Sequence, residues 1–260
     1  MSLESKRYRL GVDIGGTFTD VLLMEETSGR LVALKVPSNR QNPEDAIIAG
    51  LEQLDSRHGV ATGDIAYFSH GTTLGVNTLL ERDGAEVGLL TTKGFRDILE
   101  LRRLRLPKAN DLFFPRPRAL APRRRVAEVN ERMAQNGDVV TPIDRDDVLE
   151  AARHLIAQGA DNIAICFLHS YRYPQHERQA KDWILEEFPD LYVIASSELW
   201  PQQREYERCL VSVINGYIGA RMRTYFDTLE KKTAKAGMTC RIFSTKSNGG
   251  VMGLEAAGER

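Results

Sequence analysis

The residues best suited to chemistry lie near the start of the chain, in Val12-Asp13-Ile14-Gly15-Gly16-Thr17-Phe18-Thr19-Asp20-Val21. Adjacent Gly15 and Gly16 let backbone N–H groups approach an anion with no Cβ in the way. Consecutive N–H groups in such a turn form a concave anion site. Thr17 and Thr19 offer hydroxyls to phosphate oxygens. Asp13 ends an apolar run and is placed to hold a hydrated Mg²⁺ beside that phosphate, because Mg²⁺ keeps its waters and takes few carboxylates. The plainer alternative is an ordinary Gly-Gly hairpin turn.

The residues after the glycines separate one kind of phosphate loop from another. A Walker loop needs Gly-Lys-Ser/Thr, and no Lys stands here. A dinucleotide fingerprint needs a helix after its glycines. Residues 19–24 are instead β-branched and aliphatic, which favours a strand, so the loop joins two strands. That arrangement resembles the first phosphate loop of the actin, Hsp70 and sugar-kinase ATPases. Thr19 and Asp20 then buttress the loop.

The elements that must hold this loop can be read around it. Strands are expected over 8–14, 19–25 and 30–37. A helix opens at Asn42-Pro43, carries Ile47, Ile48, Leu51 and Leu54 as its apolar stripe, and stops at Gly59. A strand over 65–69 leads into His70-Gly71-Thr72-Thr73, then a helix to about Arg82, then a strand over 86–91. Three strands before any helix departs from Rossmann alternation and matches a ribonuclease-H-like half-domain. His70-Gly71-Thr72-Thr73 falls at a helix start, where N–H groups and dipole favour an anion. His70, Thr72 and Thr73 are therefore candidates to contact a transferred phosphate. The alternative has Thr72 capping the helix and His70 bonding a carbonyl.

Composition bounds the partners. With 35 Lys and Arg against 36 Asp and Glu in 260 residues, the net charge of −1 argues against a general polyanion binder. Three scattered cysteines, Cys166, Cys209 and Cys240, suggest a reducing compartment and no zinc site. The N-terminus lacks the apolar core of a signal peptide, and no apolar stretch is long enough to span a bilayer. The expectation is a cytoplasmic protein.

Residues 102–125 change character, with nine basic residues, Arg102 to Arg125, facing Asp111 alone, broken by Pro107, Pro115, Pro117 and Pro122. This is either a nucleic-acid arm or an extended segment lying on an acidic surface of its own or a partner chain. The near-neutral total and the lack of aromatic interleaving favour the second. A second α/β block comes next. Asp144 caps a helix that Gly159 stops, residues 163–168 form a buried strand, Pro174 starts a helix, and residues 192–195 form a strand. A long helix spans 203–235, residues 238–243 form a strand, and Ser247-Asn248-Gly249-Gly250 is a turn before a short last helix. The expected organisation is a phosphate-binding subdomain over 1–100, a connector over 101–125 and a second subdomain over 126–260. Arg204, Tyr206 and Arg208 either clamp an acidic group or pair with Glu205 and Glu207. His169 and His176 are too isolated for a metal site.

The opening loop, His70-Gly71-Thr72-Thr73 with Asn77-Thr78, Thr92 to Asp97, Glu131-Arg132, Pro174 with His176-Glu177-Arg178, Arg204 to Arg208 and Ser247 to Gly250 occur in this order. Together they resemble the hydantoinase A / 5-oxoprolinase family over nearly the whole chain. The resemblance implies an actin-like ATPase half with a mixed sheet, and after it a second α/β block. It implies an ATP-dependent hydrolase that phosphorylates the amide or carbonyl oxygen of a cyclic amide, since little covalent work falls to the protein in phosphoryl transfer. It implies ATP and Mg²⁺ as cofactors, with Gly15, Gly16, Thr17, Thr19, Asp20 and Thr73 around the phosphates, Asp13, His70 and Thr72 at the chemistry, and Asp13 on Mg²⁺ through water. It also implies a hydantoinase B-type subunit as partner in a hetero-oligomer, a small cyclic amide or ketone as substrate, and no nucleic acid or membrane. In the family a second Gly-Gly-Thr-Thr-Asp-like segment lies downstream of the Ser-Asn-Gly-Gly motif. This chain stops at Arg260, so it resembles an N-terminal portion expected to be inactive alone. A ketone carboxylase subunit and a non-catalytic nucleotide-responsive module are the competing readings, and a sugar kinase is a weaker third.

Overall fold

In the computed structural model, residues 7–39, 41–104, 111, 113, 118–246 and 249–254 are described. The chain begins with three antiparallel strands, β1 (Tyr8–Ile14), β2 (Phe18–Glu25) and β3 (Leu31–Pro37). Helix α1 (Glu44–His58) ends on Gly59, whose φ of +63° is the left-handed cap that glycine takes without strain. Then come β4 (Ile65–Thr72) and α2 (Leu74–Glu81). Next are β5 (Val87–Thr92), α3 (Ile98–Leu101), β6 (Val126–Val129), β7 (Arg132–Met133), β8 (Val139–Thr141), α4 (Arg145–Ala157), β9 (Asn162–Cys166), α5 (Gln175–Glu187), β10 (Tyr192–Ala195) and α6 (Ser196–Leu199). The chain returns along α7 (Glu205–Lys235) to β11 (Ile242–Thr245) and β12 (Val251–Gly253).

The first sheet has the order β12-β11-β4-β1-β2-β3, with β4 parallel to β1 and β11 parallel to β4. Alternation in β1 buries Tyr8, Leu10, Val12 and Ile14 and turns Arg9 and Asp13 outward. Ile47, Leu51 and Leu54 of α1 and Tyr225, Phe226 and Leu229 of α7 complete this core. The other face is open, with Phe18, Leu22, Leu31 and Val251 exposed.

The second sheet, β10-β9-β5-β6, is parallel throughout. Strands β5 and β9 are buried at every position, as parallel strands covered on both faces are. Val148, Ala152 and Leu155 of α4 and Ala180 and Ile184 of α5 pack on it. A buried polar network runs beside this core. Thr92 hydrogen-bonds Glu131, which also holds His176 Nδ1 at 2.6 Å. Glu177 accepts from Phe167 N at 2.8 Å and from Ser196 Oγ at 2.7 Å, and Ser196 Oγ accepts from Arg208 Nε at 3.0 Å.

The mixed α/β architecture is the one expected, but two features differ. The strand at β5 does not close the first sheet; β11 takes that place, after the chain has made the whole second sheet. The two compact units are accordingly 1–83 with 219–260, and 84–218, in contrast to divisions at 100 and 125. After the turn, β12 pairs antiparallel with β11 and Leu254 follows in helical conformation, while residues 255–260 of the expected last helix lie outside the described residues. Ser247 and Asn248 lie outside the described residues, as do 105–110, 112 and 114–117 of the basic segment. Three of its described arginines pair with acids of the same unit: Arg103 with Glu207 at 2.7 Å, Arg123 with Asp97 at 2.6 Å, and Arg125 with Glu86. Among the described residues, no helix is long and apolar enough to cross a membrane.

Candidate functional site

The turn between β1 and β2 is closed by Gly15 N donating to Phe18 O at 3.0 Å. Neither Gly15 nor Gly16 has a positive φ, so the reason for glycine is space. A Cβ on Gly15 would sit 2.9 Å from the Phe18 carbonyl oxygen, so the hairpin itself requires that glycine. A Cβ on Gly16 would meet nothing nearer than Asn77 Nδ2 at 3.9 Å. The fold leaves room there.

Ser38 ties the loop from behind. Its hydroxyl donates to Gly15 O at 2.9 Å and its amide to Thr17 O at 2.9 Å. Its single hydroxyl proton is thereby committed, so Thr19 Oγ1 is the donor across their 2.9 Å contact. Thr19 is fully buried, the buttress expected of it.

The loop faces the β4–α2 junction across a cavity of about 130 Å³, whose walls include Gly15, Gly16, Ser38, Thr72, Thr73 and Asn77. Thr72 Oγ1 accepts from Leu74 N, the first amide of α2, at 3.1 Å, and Thr73 is the N-cap residue. Thr73 Oγ1 donates to Ile14 O at 3.3 Å and accepts from Asn77 Nδ2 at 3.2 Å, which joins the two sides. Arg221 of α7 is also in the wall, its guanidinium 2.5 Å from Asp83. The Gly16 amide, the Thr72 hydroxyl, a carboxamide and a guanidinium make a donor-bearing concavity that fits a phosphate group.

Three expected residues stand elsewhere. Asp13 points to the open face of the sheet: its Oδ1 would be 3.0 Å from a Cβ on Gly71, beside Thr245 Oγ1 at 3.3 Å from the same point. Asp20 pairs with Asp13 across the strands and is held by Lys35 at 3.1 Å. Thr17 is exposed and contributes its carbonyl to Ser38. Among the described residues, no three His, Cys, Asp or Glu side chains converge as a metal cage. Asp13 therefore offers at most a single carboxylate, which is what a largely hydrated Mg²⁺ uses.

His70 corrects the sequence expectation. It is fully buried, outside the cavity wall, with Nδ1 2.8 Å from Gly71 O and Nε2 2.7 Å from Tyr225 Oη. Strand alternation explains this, because His70 shares the inner face with Phe68, against Tyr225 and Phe226 of α7. Burial pulls its pKa from 6.5 down to about 4, with the Gly71 bond opposing. The unfolded chain therefore binds a proton here between those values and the folded chain does not. Stability from this group is complete above pH 6.5 and drains away as pH falls towards 4, by about 3 kcal/mol in all. Urea midpoints followed from pH 7 to 4.5 should fall for the parent chain and fall less for His70→Asn. Equal slopes would remove His70 from the acid response.

The sequence model described as the hydantoinase/oxoprolinase N-terminal region matches residues 9–188, and that described as hydantoinase/oxoprolinase matches residues 208–260. The chain belongs to the hydantoinase/oxoprolinase family. The alpha subunit of caprolactamase from Pseudomonas jessenii is 31% identical over 255 residues, covering 96% of this chain and 36% of that protein. A crystal structure of ATP-dependent caprolactamase from the same organism superposes with a TM-score of 0.86 at 32% identity, covering 94% of this chain and 36% of that one. Nucleotide-free acetone carboxylase, from work on ATP-dependent acetone carboxylation, gives a TM-score of 0.86 at 27% identity, over 96% of this chain and 38% of that one. This member of the hydantoinase/oxoprolinase family thus spans just over a third of these relatives and about a fifth of the 5-oxoprolinase from Arabidopsis thaliana, 21%.

Sequence reasoning missed Ser38, Asn77 and Arg221 as members of the site. Ser38 carries no signal beyond a small polar residue after a strand. Asn77 sits one helical turn after Thr73, a spacing that could have found it. Arg221 lies far along the chain and reaches the cavity only because α7 returns.

Proposed function

We propose that this chain grips the phosphates of ATP for an enzyme that activates a cyclic amide by phosphorylating its oxygen. The observation that carries the reading is the cavity where Gly15-Gly16 faces Thr72-Thr73 at the carboxyl ends of β1 and β4. Ligands of open α/β sheets bind at such strand ends. Relatives named as an ATP-dependent caprolactamase and a 5-oxoprolinase support the amide class.

An amide is a poor electrophile. Transfer of the terminal phosphoryl group to its oxygen forms one P–O bond, breaks the bond to ADP and gives an imidate phosphate whose carbon is open to attack by water. Positioning and charge neutralisation are the main demands. The Gly16 amide, the Thr72 hydroxyl and the second proton of Asn77 Nδ2 would hold phosphate oxygens, while Gly15 and Thr73, whose protons are spent on Phe18 O and Ile14 O, would shape the wall. Mg²⁺ would neutralise phosphate charge, and Asp13 would hold it through water. Three cysteines kept as free thiols suit a reducing cytoplasm. Relatives named as alpha, beta and gamma subunits support assembly with a second, B-type chain.

Calorimetry on the chain with tripolyphosphate and ATP, with and without Mg²⁺, tests the reading. We expect binding that Mg²⁺ strengthens. Asp13→Ala should reduce that Mg²⁺-dependent gain about tenfold, the worth of one charge-assisted contact, and keep the Mg²⁺-free affinity. No binding of either ligand would refute the phosphate site. An unchanged Mg²⁺ response in Asp13→Ala would remove that residue from metal binding.

A further inference from the structure

Tyr225 lies in the half of α7 that belongs to the first unit, and its residue is only 4% exposed. Its hydroxyl reaches His70 Nε2 at 2.7 Å, and the two rings meet edge-on at 5.4 Å. On the other side His70 Nδ1 lies 2.8 Å from Gly71 O. A carbonyl only accepts, so the proton is on Nδ1. Nε2 of the neutral ring is then an acceptor, and the tyrosine hydroxyl must donate. The line of bonds has one direction, from Tyr225 through His70 to the Gly71 carbonyl.

That carbonyl belongs to the peptide that leads into Thr72 and Thr73. Gly71 has no side chain to restrict this peptide, because the Asp13 carboxylate occupies the space of its Cβ. The His70 ring supplies a restraint from the inner face instead. The Tyr225 ring also lines a second cavity of about 440 Å³, which shares Pro43, Leu74 and Arg221 with the phosphate cavity.

We propose that Tyr225 is a positioning residue for the phosphate cavity, holding the His70 ring in one orientation and, through it, the Gly71-Thr72-Thr73 backbone. The proposal rests on the reading of that cavity as a phosphate site. Neither residue touches the phosphate. A ring held in one orientation keeps the backbone at Thr72 and Thr73, and with it the Thr72 hydroxyl, in one place, so ligand binding does not have to order it.

The experiment uses chain carrying ¹⁵N-labelled histidine, with tripolyphosphate as the probe. Long-range proton–nitrogen spectra should show His70 as the Nδ1–H tautomer in the parent chain. Tyr225→Phe keeps the aromatic ring and removes the donor to Nε2; it should leave His70 as the Nδ1–H tautomer but shift and broaden its Nε2 signal as the imidazole loosens, and weaken tripolyphosphate about tenfold, the effect of one hydrogen bond to a positioned group. His70→Asn places an amide N–H near the Nδ1 position and needs no help from Tyr225. In that background, Tyr225→Phe should weaken the probe no further. Additive losses in the double variant would overturn the proposal, as would an unchanged affinity in Tyr225→Phe alongside tight binding by the parent. If the parent chain itself fails to bind tripolyphosphate, the phosphate reading falls first and this inference with it.

Discussion

Gly16→Val is expected to weaken tripolyphosphate binding by about a hundredfold while leaving the unfolding midpoint of the chain unchanged. The side chain would take the ligand's space and not the protein's. A Cβ at Gly16 meets no protein atom nearer than 3.9 Å, and its φ is not one that penalises other residues. The protein therefore has no reason of its own to exclude a side chain. The volume that valine would fill is the cavity itself, where a phosphate oxygen must come within about 2.9 Å of a backbone N–H. A β-branched group holds two methyls there in a fixed rotamer and cannot swing aside. Gly16→Ala should lie between the two. Gly15→Ala is the informative contrast: its Cβ would press on the Phe18 carbonyl at 2.9 Å, so it should destabilise the hairpin whether or not ligand is present. Calorimetry and thermal melts on the three variants separate the cases. Tight binding by a folded Gly16→Val chain would show that no ligand approaches this loop.

Arg208→Met should cost about 3–5 kcal/mol of stability, the range for removing one partner of a buried charge pair. The Arg208 side chain is entirely buried. Its Nε–H bonds Ser196 Oγ, which passes a hydrogen bond on to Glu177, and its terminal nitrogens bond Phe167 O at 2.5 Å and Gln202 O at 3.2 Å. Glu177 is itself fully buried and holds Phe167 N and Ser197 N. Methionine fills similar volume but leaves the Glu177 carboxylate without the counter-charge bridged through Ser196, and takes one donor each from the Gln202 carbonyl and from the Phe167 carbonyl, which keeps Ser170 Oγ at 3.0 Å. A double change, Arg208→Met with Glu177→Gln, should recover part of the loss. Urea unfolding followed by hydrogen exchange at β9 and β10 reports it, and a loss below about 1 kcal/mol would mean the network is relaxed by water.

The same network shows where sequence reading works and where it stops. Strands β1 to β4 and helices α1, α4 and α7 are legible because each carries its own period, cap or stop: alternation in β1, Gly59 after α1, Asp144 before α4. The glycine loop is legible because glycine pairs after an acid-tipped strand have few uses. Arg208 is not, because a helix with arginines and glutamates at short spacing looks the same whether it pairs in solvent or is swallowed by a core. His70 is misplaced for a related reason. A His-Gly-Thr-Thr string at a strand end does not say which face the histidine takes, and a one-residue change of phase moves it from the cavity to the core. Asp13 obeys the same rule in the opposite sense. The role of β5 is beyond any local signal, since nothing in its residues says which of two sheets it will join.

That last feature governs how the molecule can be made. Strand β11 joins β4 only after residues 84–218 have been synthesised. While the chain grows, β4 has β1 on one side and a bare edge on the other. Closing so long a loop with an unfolded insert would be slow, but an insert that folds first converts it to a short reach between two fixed ends. Connectivity therefore favours an order of assembly in which the inserted parallel sheet forms before the first sheet finishes. Until then the β4 edge, with Phe68 and His70 beneath it, is a template for pairing with any other unfinished copy.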